Sequence, residues 1–275
     1  MRDVFKDKVA IVTGGASGIG RALCEELGRR GAMVVPADIN AEGAAEVASV
    51  IKTAGGRARP ARVDVSEATE VQKLVDETVS EHGRLDYIFN NAGIAVLGDM
   101  RDMEVEHWRR TLDVNLWGVI HGTMSAYRVM VGQGSGHIVN TASAAGLMPM
   151  PLLTAYSASK HAVVGLSTSL RAEAADLGVK VSVVCPGTVR TQMADRATYL
   201  KVNREALLAK IADAKKMEAS ECAQIILRCV ARNKAVITVT GAARLAWWLQ
   251  SICPPLLSSL HRKWIKFYRS FRDAH

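Results

Sequence analysis

Tyr156 and Lys160 are the two residues whose types and spacing point most directly to chemistry. They are four residues apart on a predicted helix, so their side chains share one helix face. A free phenol has a pKa of about 10, which is too high for a general base near neutral pH. A lysine ammonium one turn away favours the phenolate and lowers that pKa, so this pair can exchange a proton with a substrate hydroxyl.

Ser143 follows a predicted strand upstream of this helix. Its hydroxyl can hydrogen-bond the same reacting oxygen and hold it against Tyr156. The Tyr-x-x-x-Lys spacing alone is common on surface helices. It gains meaning only together with Ser143 and with the glycine-rich loop near the start of the chain.

That loop joins the first predicted strand to the first predicted helix. Its glycines let the backbone turn tightly and approach a pyrophosphate, whose charge is met by N–H groups at the helix N-terminus. The spacing is G-x-x-x-G-x-G rather than G-x-G-x-x-G, but the strand–loop–helix context supports a dinucleotide site. The predicted contacts in this loop are Gly14, Ser17, Gly18, Ile19 and Gly20.

Asp38 ends the second predicted strand, at the distance from the glycine loop where such sites place the acid that binds the adenosine ribose. Its carboxylate would repel a 2′-phosphate, and no Arg or Lys stands at Ser17 or Ile39 to offset that repulsion. The sequence therefore favours NAD over NADP. The alternative interpretation is a helix N-cap, because Asp38 and Asn40 precede a predicted helix.

Apolar runs rich in Val and Ile alternate with amphipathic segments along the chain. The predicted strands are Val9–Thr13, Met33–Ala37, Ala61–Val65, Leu85–Asn90, His137–Thr141, Val179–Val184 and Val236–Val239. The predicted helices are Ile19–Arg30, Ala41–Ala54, Glu67–His82, Val105–Val131 and Thr154–Asp176. Apolar strands with helices on both faces indicate an α/β fold. We predict a single doubly wound Rossmann-type domain over residues 1–240, with a mostly parallel seven-stranded sheet.

Ligands of a doubly wound sheet lie beyond the carboxyl ends of its strands. Asp64, Val65 and the segment Asn90–Gly93 close the third and fourth predicted strands, so they should border the cofactor. For Asn90 and Asn91, the alternative is a turn that satisfies strand-end backbone groups.

The composition is that of an ordinary globular protein, with 275 residues, 49% of them hydrophobic and 23% charged. The net charge of +8 is concentrated in residues 241–275, where six Arg or Lys and one acid give +5. Because the excess is not on the domain itself, we predict no nucleic-acid partner. The five dispersed cysteines predict neither a metal site nor a disulfide framework. Without a signal-peptide core at the N-terminus, the expected location is cytoplasmic.

The chain resembles the short-chain dehydrogenase/reductase family over about residues 6–240. The motifs that carry the resemblance are Thr13–Gly20, Asn90–Gly93, Asn115, Ser143, Tyr156–Lys160 and Pro186-Gly187. These motifs occur together in the order and spacing of the family, so the probability of a chance match is very small.

The resemblance implies a catalytic set of Ser143, Tyr156 and Lys160 that is completed by Asn115, which supports a water relay to Lys160. It implies adenine contacts from Asp64 and Val65, and a nicotinamide carboxamide held by Thr188–Thr191, with Thr191 as the best side chain. It also implies a homodimer or homotetramer built through the helices near Val105–Val131 and Thr154–Asp176. The further cofactor contacts that we expect are Asn91, Ala92, Gly93, Tyr156, Lys160, Pro186, Gly187 and Val189.

The segment between Ser143 and Tyr156 carries no charge, and Leu147–Leu153 can form an apolar wall with adaptable methionines. A second wall is expected from Met193–Lys216, a segment that is often a mobile lid in this family. Its alternative is an ordinary amphipathic helix packed on the domain. The predicted substrate contacts are Leu147, Met150, Leu153 and Met193.

Residues 241–275 form a predicted apolar and basic C-terminal extension. One helical face carries Leu260, Trp264, Phe267, Tyr268 and Phe271. Arg262, Lys266 and Arg269 lie opposite, with Lys263 and Arg272 on the flanks. Such a helix can lie in an anionic membrane interface. It can equally dock over the substrate cleft or a neighbouring subunit, with its basic side solvated.

Together these features predict an oxidoreductase that transfers a hydride between NAD(H) and a lipophilic small molecule. The expected substrate is a hydrophobic secondary alcohol or ketone: steroid-like, retinoid-like, terpenoid or lipid-like. One alternative is an NADPH-dependent biosynthetic ketoreductase, against which Asp38 argues. Another is a dinucleotide-binding scaffold without turnover, against which the intact set of Asn115, Ser143, Tyr156 and Lys160 argues.

Overall fold

The fold was analysed in a computed structural model that describes residues 3–210 and 216–272. Its elements, in chain order, are β1 Val9–Thr13, α1 Gly18–Arg29, β2 Met33–Asp38, α2 Ala41–Thr53, β3 Arg57–Ala58, β4 Ala61–Arg62, α3 Ala68–His82, β5 Tyr87–Asn90, β6 Val96–Leu97, α4 Val105–Leu112, α5 Gly118–Gln133, β7 Gly136–Thr141, α6 Thr154–Glu173, β8 Val179–Cys185, β9 Val189–Arg190, α7 Met193–Arg196, β10 Thr198–Tyr199, α8 Arg204–Lys210, β11 Met217–Glu218, α9 Ala219–Ala231, β12 Val236–Thr238, α10 Gly241–Ile252 and α11 Pro254–Arg269.

The main sheet has the order β12-β8-β7-β5-β1-β2-β3, and β4 also pairs with β2. Every pairing in it is parallel, from β1 with β2 and β5 to β8 with β12. The strand order reverses between β1 and β5, which is where doubly wound sheets bind their ligands. The predicted fold class is therefore confirmed.

Alternate residues of the strands contribute their side chains to two apolar layers, one on each face of the sheet. Ala10 and Val12 of β1 pack with α1, α2 and α9, whereas Ile11 packs with α3 and α5. Because both faces are covered, the strands are continuous apolar runs rather than alternating ones. This double cover holds the carboxyl ends of the strands rigidly at one edge.

Two predicted elements differ from the structure. The expected strand Ala61–Val65 is shorter, as β4 Ala61–Arg62, and an unpredicted strand, β3 Arg57–Ala58, precedes it and is separated from it by Arg59 and Pro60. Proline has no N–H to donate to a ladder and fixes its own φ, so the strand cannot run through it.

The predicted helix Val105–Val131 is also not continuous. Asp113–Trp117 forms a π-helical segment between α4 and α5. A π segment widens the turn by one residue and is typical of functional positions. Here it turns Asn115 inward to a completely buried position.

Small accessory pairs lie above the carboxyl edge of the main sheet. β6 pairs with β10 in parallel, through Val96 with Thr198 and Leu97 with Tyr199. β9 pairs with β11 through Val189 with Met217. These pairs tie the segments that follow β5 and β8 to the polypeptide near residues 198–218.

Candidate active site

The catalytic residues predicted from the sequence meet at the carboxyl edge of the sheet. Tyr156 and Lys160 lie in the first two turns of α6, and both are buried. The Lys160 ammonium is 5.6 Å from the centroid of the Tyr156 ring. It donates a hydrogen bond of 2.9 Å to the backbone oxygen of Thr141, at the end of β7. Ser143 follows that strand end; its hydroxyl accepts the Ala145 N–H at 3.1 Å and lies close enough to Tyr156 to affect the proton affinity of the phenol.

Burial dominates the proton affinities of these groups. It raises the pKa of Tyr156, and the hydrogen bond from Ser143 opposes that rise. Burial lowers the pKa of Lys160 to about 8. The sequence predicted an acidic phenol, but the protein's own groups leave the Tyr156 pKa above its ordinary value. A further positive charge at the site would therefore be needed to favour the phenolate.

Asn115 is held by the loop that follows β5. Its Oδ1 accepts the Ile94 N–H at 2.8 Å, and its Nδ2 donates to the Ile94 oxygen at 2.9 Å. Nδ2 also reaches the hydroxyl of Ser159 at 3.4 Å. A Cβ placed on Gly93 would lie 3.2 Å from Asn115 Oδ1 and 3.5 Å from Lys160 Nζ. Asn115 and Lys160 therefore flank the same glycine.

The glycine loop has the tight geometry that its sequence predicts. Gly14 and Gly18 have φ of 65° and 54°, a region that favours glycine. A Cβ on Gly20 would stand 2.0 Å from the Gly14 oxygen. Ser17 is extended just before α1, and its side chain caps none of the helix N–H groups within the described residues. This helix start is therefore open toward an anion.

Asn91 fixes this loop against the next strand. Its Nδ2 donates to the Thr13 oxygen at 3.1 Å, and the Thr13 hydroxyl accepts the Asn91 and Ala92 N–H groups. The side chain of Asn91 therefore satisfies strand-end backbone groups, as its alternative interpretation held.

Asp38 is not the cap of α2, because Asn40 accepts the Gly43 N–H and occupies that position. Asp38 instead accepts the Ala16 N–H at 3.0 Å through Oδ2 and the Asn40 N–H at 2.9 Å through Oδ1. A carboxylate has about four lone-pair sites, so acceptor capacity remains for hydroxyl groups. Ile39 beside it is 61% exposed, and the sequence analysis gave it no contact role.

The remaining predicted cofactor residues lie along the same edge. Thr191 contacts the glycine loop, since a Cβ on Gly18 would be 3.1 Å from its Cγ2. Both residues line one surface cleft with Arg21. Pro186, Gly187 and Val189 follow β8, and Asp64 and Val65 follow β4.

Comparison with known proteins decides the family. The sequence profile described as short chain dehydrogenase matches residues 8–199. The chain belongs to the short-chain dehydrogenase family. It is an α/β oxidoreductase of that type, and its edge loops fit a nicotinamide dinucleotide cofactor.

Two relatives act on hydroxyl groups of six-membered rings, by their names. Cyclohexanol dehydrogenase of Acinetobacter sp. (strain SE19) is 38% identical over 196 residues, covering 70% of this chain and 77% of that protein. Cis-4-hydroxycyclohexanecarboxylate dehydrogenase of Sinomonas cyclohexanicum is 36% identical over 240 residues, covering 84% of this chain and 96% of that protein.

A solved short-chain dehydrogenase/reductase from Burkholderia phymatum, in complex with NAD, is similar over almost the whole chain. The identity is 31% and the TM-score 0.85, and the match covers 93% of this chain and 96% of that one. The similarity therefore extends past residue 199, where the family profile ends.

The predicted substrate contacts of this short-chain dehydrogenase differ in their surroundings. Met150 and Met193 are 37% and 39% exposed, and Leu153 is half-buried at the start of α6. Leu147 packs against the core cluster formed by α5, α6 and β8. Residues 211–215 of the second predicted wall lie outside the described residues.

The C-terminal extension docks on the domain through its aromatic face. Tyr268 is completely buried, and Trp264, Phe267 and Phe271 pack around it; the side chain of Leu260 lies outside the described residues. The basic side is only partly solvated. Arg262, Lys263 and Lys266 are exposed, but Arg269 and Arg272 pair with Asp99 and Asp102. Arg269 keeps 49% of its side chain exposed while it pairs, as expected for a solvated basic side, whereas Arg272 on the flank is only 19% exposed.

Leu152 and Tyr199 lie in the two predicted walls, but their contact with Tyr268 in one apolar cluster was not predicted from the sequence. The partners of a docked aromatic helix face are distant in sequence, so its pattern could not name them. Within residues 3–210 and 216–272, no three His, Cys, Asp or Glu side chains are grouped closely enough to hold a metal ion. None of the helices in these ranges is long and apolar enough to cross a membrane.

Proposed function

We propose that this short-chain dehydrogenase interconverts a hydrophobic secondary alcohol and its ketone with NAD(H). The observation that carries the proposal is the meeting of Ser143, Tyr156 and Lys160 beside a glycine loop with an open helix start. The apolar segment before α6 supports a hydrophobic substrate. The ring alcohols in the names of two relatives make a cyclic alcohol the first compound to test.

The cofactor would be held along the carboxyl edge of the sheet. We assign the pyrophosphate to Gly14, Ser17, Gly18, Ile19 and Gly20, and the adenosine ribose to Asp38. Ala92 and Gly93 would border its middle, and Thr191 its nicotinamide end. The oxidised form of such a cofactor would bring a positive charge near Tyr156, which would be neutralised when the hydride is accepted.

The protein's own groups then manage the proton. In the oxidative direction Tyr156 accepts the hydroxyl proton of the alcohol, and Ser143 holds the same oxygen in place. Lys160, anchored on the Thr141 oxygen, stabilises the phenolate. Asn115 fixes the Ile94 loop beside Lys160, and we assign to this position the water relay that returns the proton to solvent.

We propose NAD rather than NADP because Asp38 places a negative charge where a 2′-phosphate would lie. Like charges in contact cost several kcal/mol, so a preference for NAD of about 100-fold or more is expected. Asp38→Asn keeps an oxygen for the Ala16 N–H but removes the charge. This variant isolates the electrostatic part of the preference.

The experiment measures NADH or NADPH formation with cyclohexanol and with steroid, retinoid, terpenoid and long-chain alcohols. We expect turnover with NAD, and a much smaller preference in Asp38→Asn. Tyr156→Phe should bind NADH like the wild type but show no turnover. A wild type that prefers NADP would support the biosynthetic ketoreductase. A wild type that binds NADH but converts none of these alcohols would support the scaffold.

We also propose a homo-oligomer built through α4, α5 and α6. Val105 of α4, Trp117 of the π-helical segment and Met124 of α5 are exposed by 73%, 51% and 50%, and Trp117 and Met124 share a helical face. The mass in solution should be that of a dimer or tetramer. Trp117→Glu should reduce it to that of a monomer.

The proposed location is the cytoplasm, because the thiols of Cys24, Cys185 and Cys222 are buried and unbridged.

Peripheral contact with an anionic membrane is proposed for α10. Leu245, Trp248 and Ile252 are exposed on this helix, in an extension with six basic residues and one acid. The full chain should sediment with anionic vesicles but not with zwitterionic ones, and Trp248→Ser should abolish this binding. Equal sedimentation with anionic and zwitterionic vesicles would contradict the proposed membrane contact.

A further inference from the structure

Three segments that leave the candidate active site converge on one point of the fold. The first runs from Gly93 to Leu97, the second connects Leu152 with Tyr156, and the third runs from Thr191 to Tyr199. Leu97, Leu152 and Tyr199 meet in one apolar cluster, together with Val202 and Leu207 of the segment around α8. The contacts that hold these three segments together therefore determine the positions of the walls around the substrate.

The end of α11 adds further contacts to these segments, of which the first and third also pair directly through β6 and β10. The completely buried Tyr268 directs its hydroxyl at the backbone oxygens of Leu200 and Leu97, at 3.2 and 3.4 Å. One hydroxyl proton is thus shared between two loops. A phenyl ring in its place would remove this donor from both oxygens. The Leu97 oxygen would still accept the Leu200 N–H at 2.9 Å, whereas the partly buried Leu200 oxygen would lose this partner.

Two ion pairs connect the same helix end to residues that follow the first segment. Arg269 Nε and Nη2 lie 2.9 and 2.7 Å from Asp99 Oδ2, and Arg272 binds Asp102 through both guanidinium nitrogens. Lys201, two residues after the third segment, approaches Asp102 at 3.9 Å. Asp102 therefore contacts both the tail and the loop that the tail covers.

The backbone completes the join. Asn203 donates its N–H to the Phe271 oxygen at 2.8 Å, beside an antiparallel bridge between Val202 and Arg272. Gly98 donates its N–H to the Leu152 oxygen at 2.8 Å. Leu152 itself has φ of 70°, a conformation that non-glycine residues keep only when their surroundings impose it.

We propose that Tyr268, Arg269 and Arg272 form a C-terminal clamp that closes the outer end of the substrate site and limits the size of the alcohol accepted. Tyr268 is the positioning residue, since its hydroxyl contacts both loops and adds to the direct bond from the Leu200 N–H to the Leu97 oxygen at 2.9 Å. Packed apolar walls yield little, so a site closed in this way takes compact ring alcohols and disfavours large ones. The clamp lies beyond residues 8–199, the part of the chain that matches the family profile, and it rests on the proposed function.

The test compares the wild type with Tyr268→Phe on cyclohexanol, cyclooctanol and cyclododecanol. For cyclohexanol, KM should rise about 10-fold in the variant, since one hydrogen bond that orders the walls is lost. The kcat should change less than about 2-fold, because Tyr156, Ser143 and Lys160 keep their places. The ratio of kcat/KM for cyclododecanol to that for cyclohexanol should increase about 10-fold or more.

Lys266→Gln is the matched control, because Lys266 lies on α11 but is exposed. It should leave both kinetic constants and the size ratio as in the wild type. Asp102→Asn should change the size ratio in the same direction as Tyr268→Phe. An unchanged size ratio in Tyr268→Phe overturns the proposal.

A second readout does not depend on turnover. Amide hydrogen exchange in residues 97–102 and 198–207 should be faster in Tyr268→Phe than in Lys266→Gln, with NADH affinity equal in both. If the wild type binds NADH but oxidises no alcohol, the proposed function fails, while exchange still decides whether the clamp exists. Equal exchange in the two variants overturns the clamp.

Discussion

At the scale of single residues, burial and charge have opposite effects on the proton affinities of the active-site groups. Burial alone raises the pKa of Tyr156 and lowers that of Lys160, so both groups are shifted toward their neutral forms. The Ser143 hydrogen bond acts the other way, because it stabilises the phenolate. A positive nicotinamide ring would act in the same direction, so proton transfer and cofactor binding should be coupled.

Ser143→Ala tests this balance. Without the hydrogen bond, the Tyr156 pKa should rise, so the acidic limb of kcat/KM for alcohol oxidation should move to higher pH. The kcat should fall about 100-fold to 1,000-fold, the usual loss when a donor at the reacting oxygen is removed. The measurement is the pH profile of the initial rate with saturating NAD. Ser143→Thr, which keeps a hydroxyl, should restore most of the rate; an acidic limb in Ser143→Ala at the wild-type pH would contradict the assigned role.

At the scale of elements, local sequence patterns predicted much of the site and long-range contacts decided the rest. The positions of the glycine loop, Asp38 and the Tyr156–Lys160 pair in the fold were predictable, because residues close together in sequence determine a strand–turn–helix unit. The π segment was not, because Asn115 turns inward to bind Ile94, 21 residues earlier. The partners of Tyr268 were hidden for the same reason, since Leu97 lies 171 residues away along the chain.

Gly20→Ala tests how the first element delivers the cofactor site. The added Cβ would lie 2.0 Å from the Gly14 oxygen and 2.7 Å from Asn91 Nδ2, so α1 has to shift away from the loop. NADH affinity should fall by at least about 10-fold, and the free energy of unfolding by about 1–3 kcal/mol. Fluorescence titration with NADH and urea unfolding measure the two effects.

Gly132→Ala is the control for this variant, because a Cβ there meets no atom within 4 Å. It should leave NADH affinity unchanged and raise the free energy of unfolding by up to about 1 kcal/mol, since alanine loses less backbone entropy in a helix. Normal NADH affinity in Gly20→Ala would show that the loop tolerates the shift, contrary to its assigned role.

At the scale of the whole molecule, the central sheet buries a histidine at its amino edge, opposite the active site. His137 is the second residue of β7 and is 4% exposed, with its Nε2 2.8 Å from the Ser182 hydroxyl. The Ser182 hydroxyl donates to the Lys234 oxygen at 2.7 Å, so the neutral ring donates from Nε2. Burial lowers the His137 pKa to about 3, and the charges of Lys180 and Arg171 act in the same direction.

This buried histidine should make the stability of the fold fall in mild acid. The unfolded chain binds a proton at His137 below pH 6.5, whereas the native state stays neutral down to about pH 3. The contribution of the neutral His137 to the free energy of unfolding is therefore fully present above pH 6.5 and is lost as the pH falls, by about 2 kcal/mol at pH 5.

His137→Gln keeps an N–H donor but cannot titrate, and the other six histidines are common to both proteins. Urea unfolding at fixed protein concentration should therefore show a wild-type stability that falls more steeply between pH 7 and 5 than that of the variant. Parallel pH dependences would mean that His137 is protonated in the native state as readily as in the unfolded chain, and that the packing around β7 admits a charge.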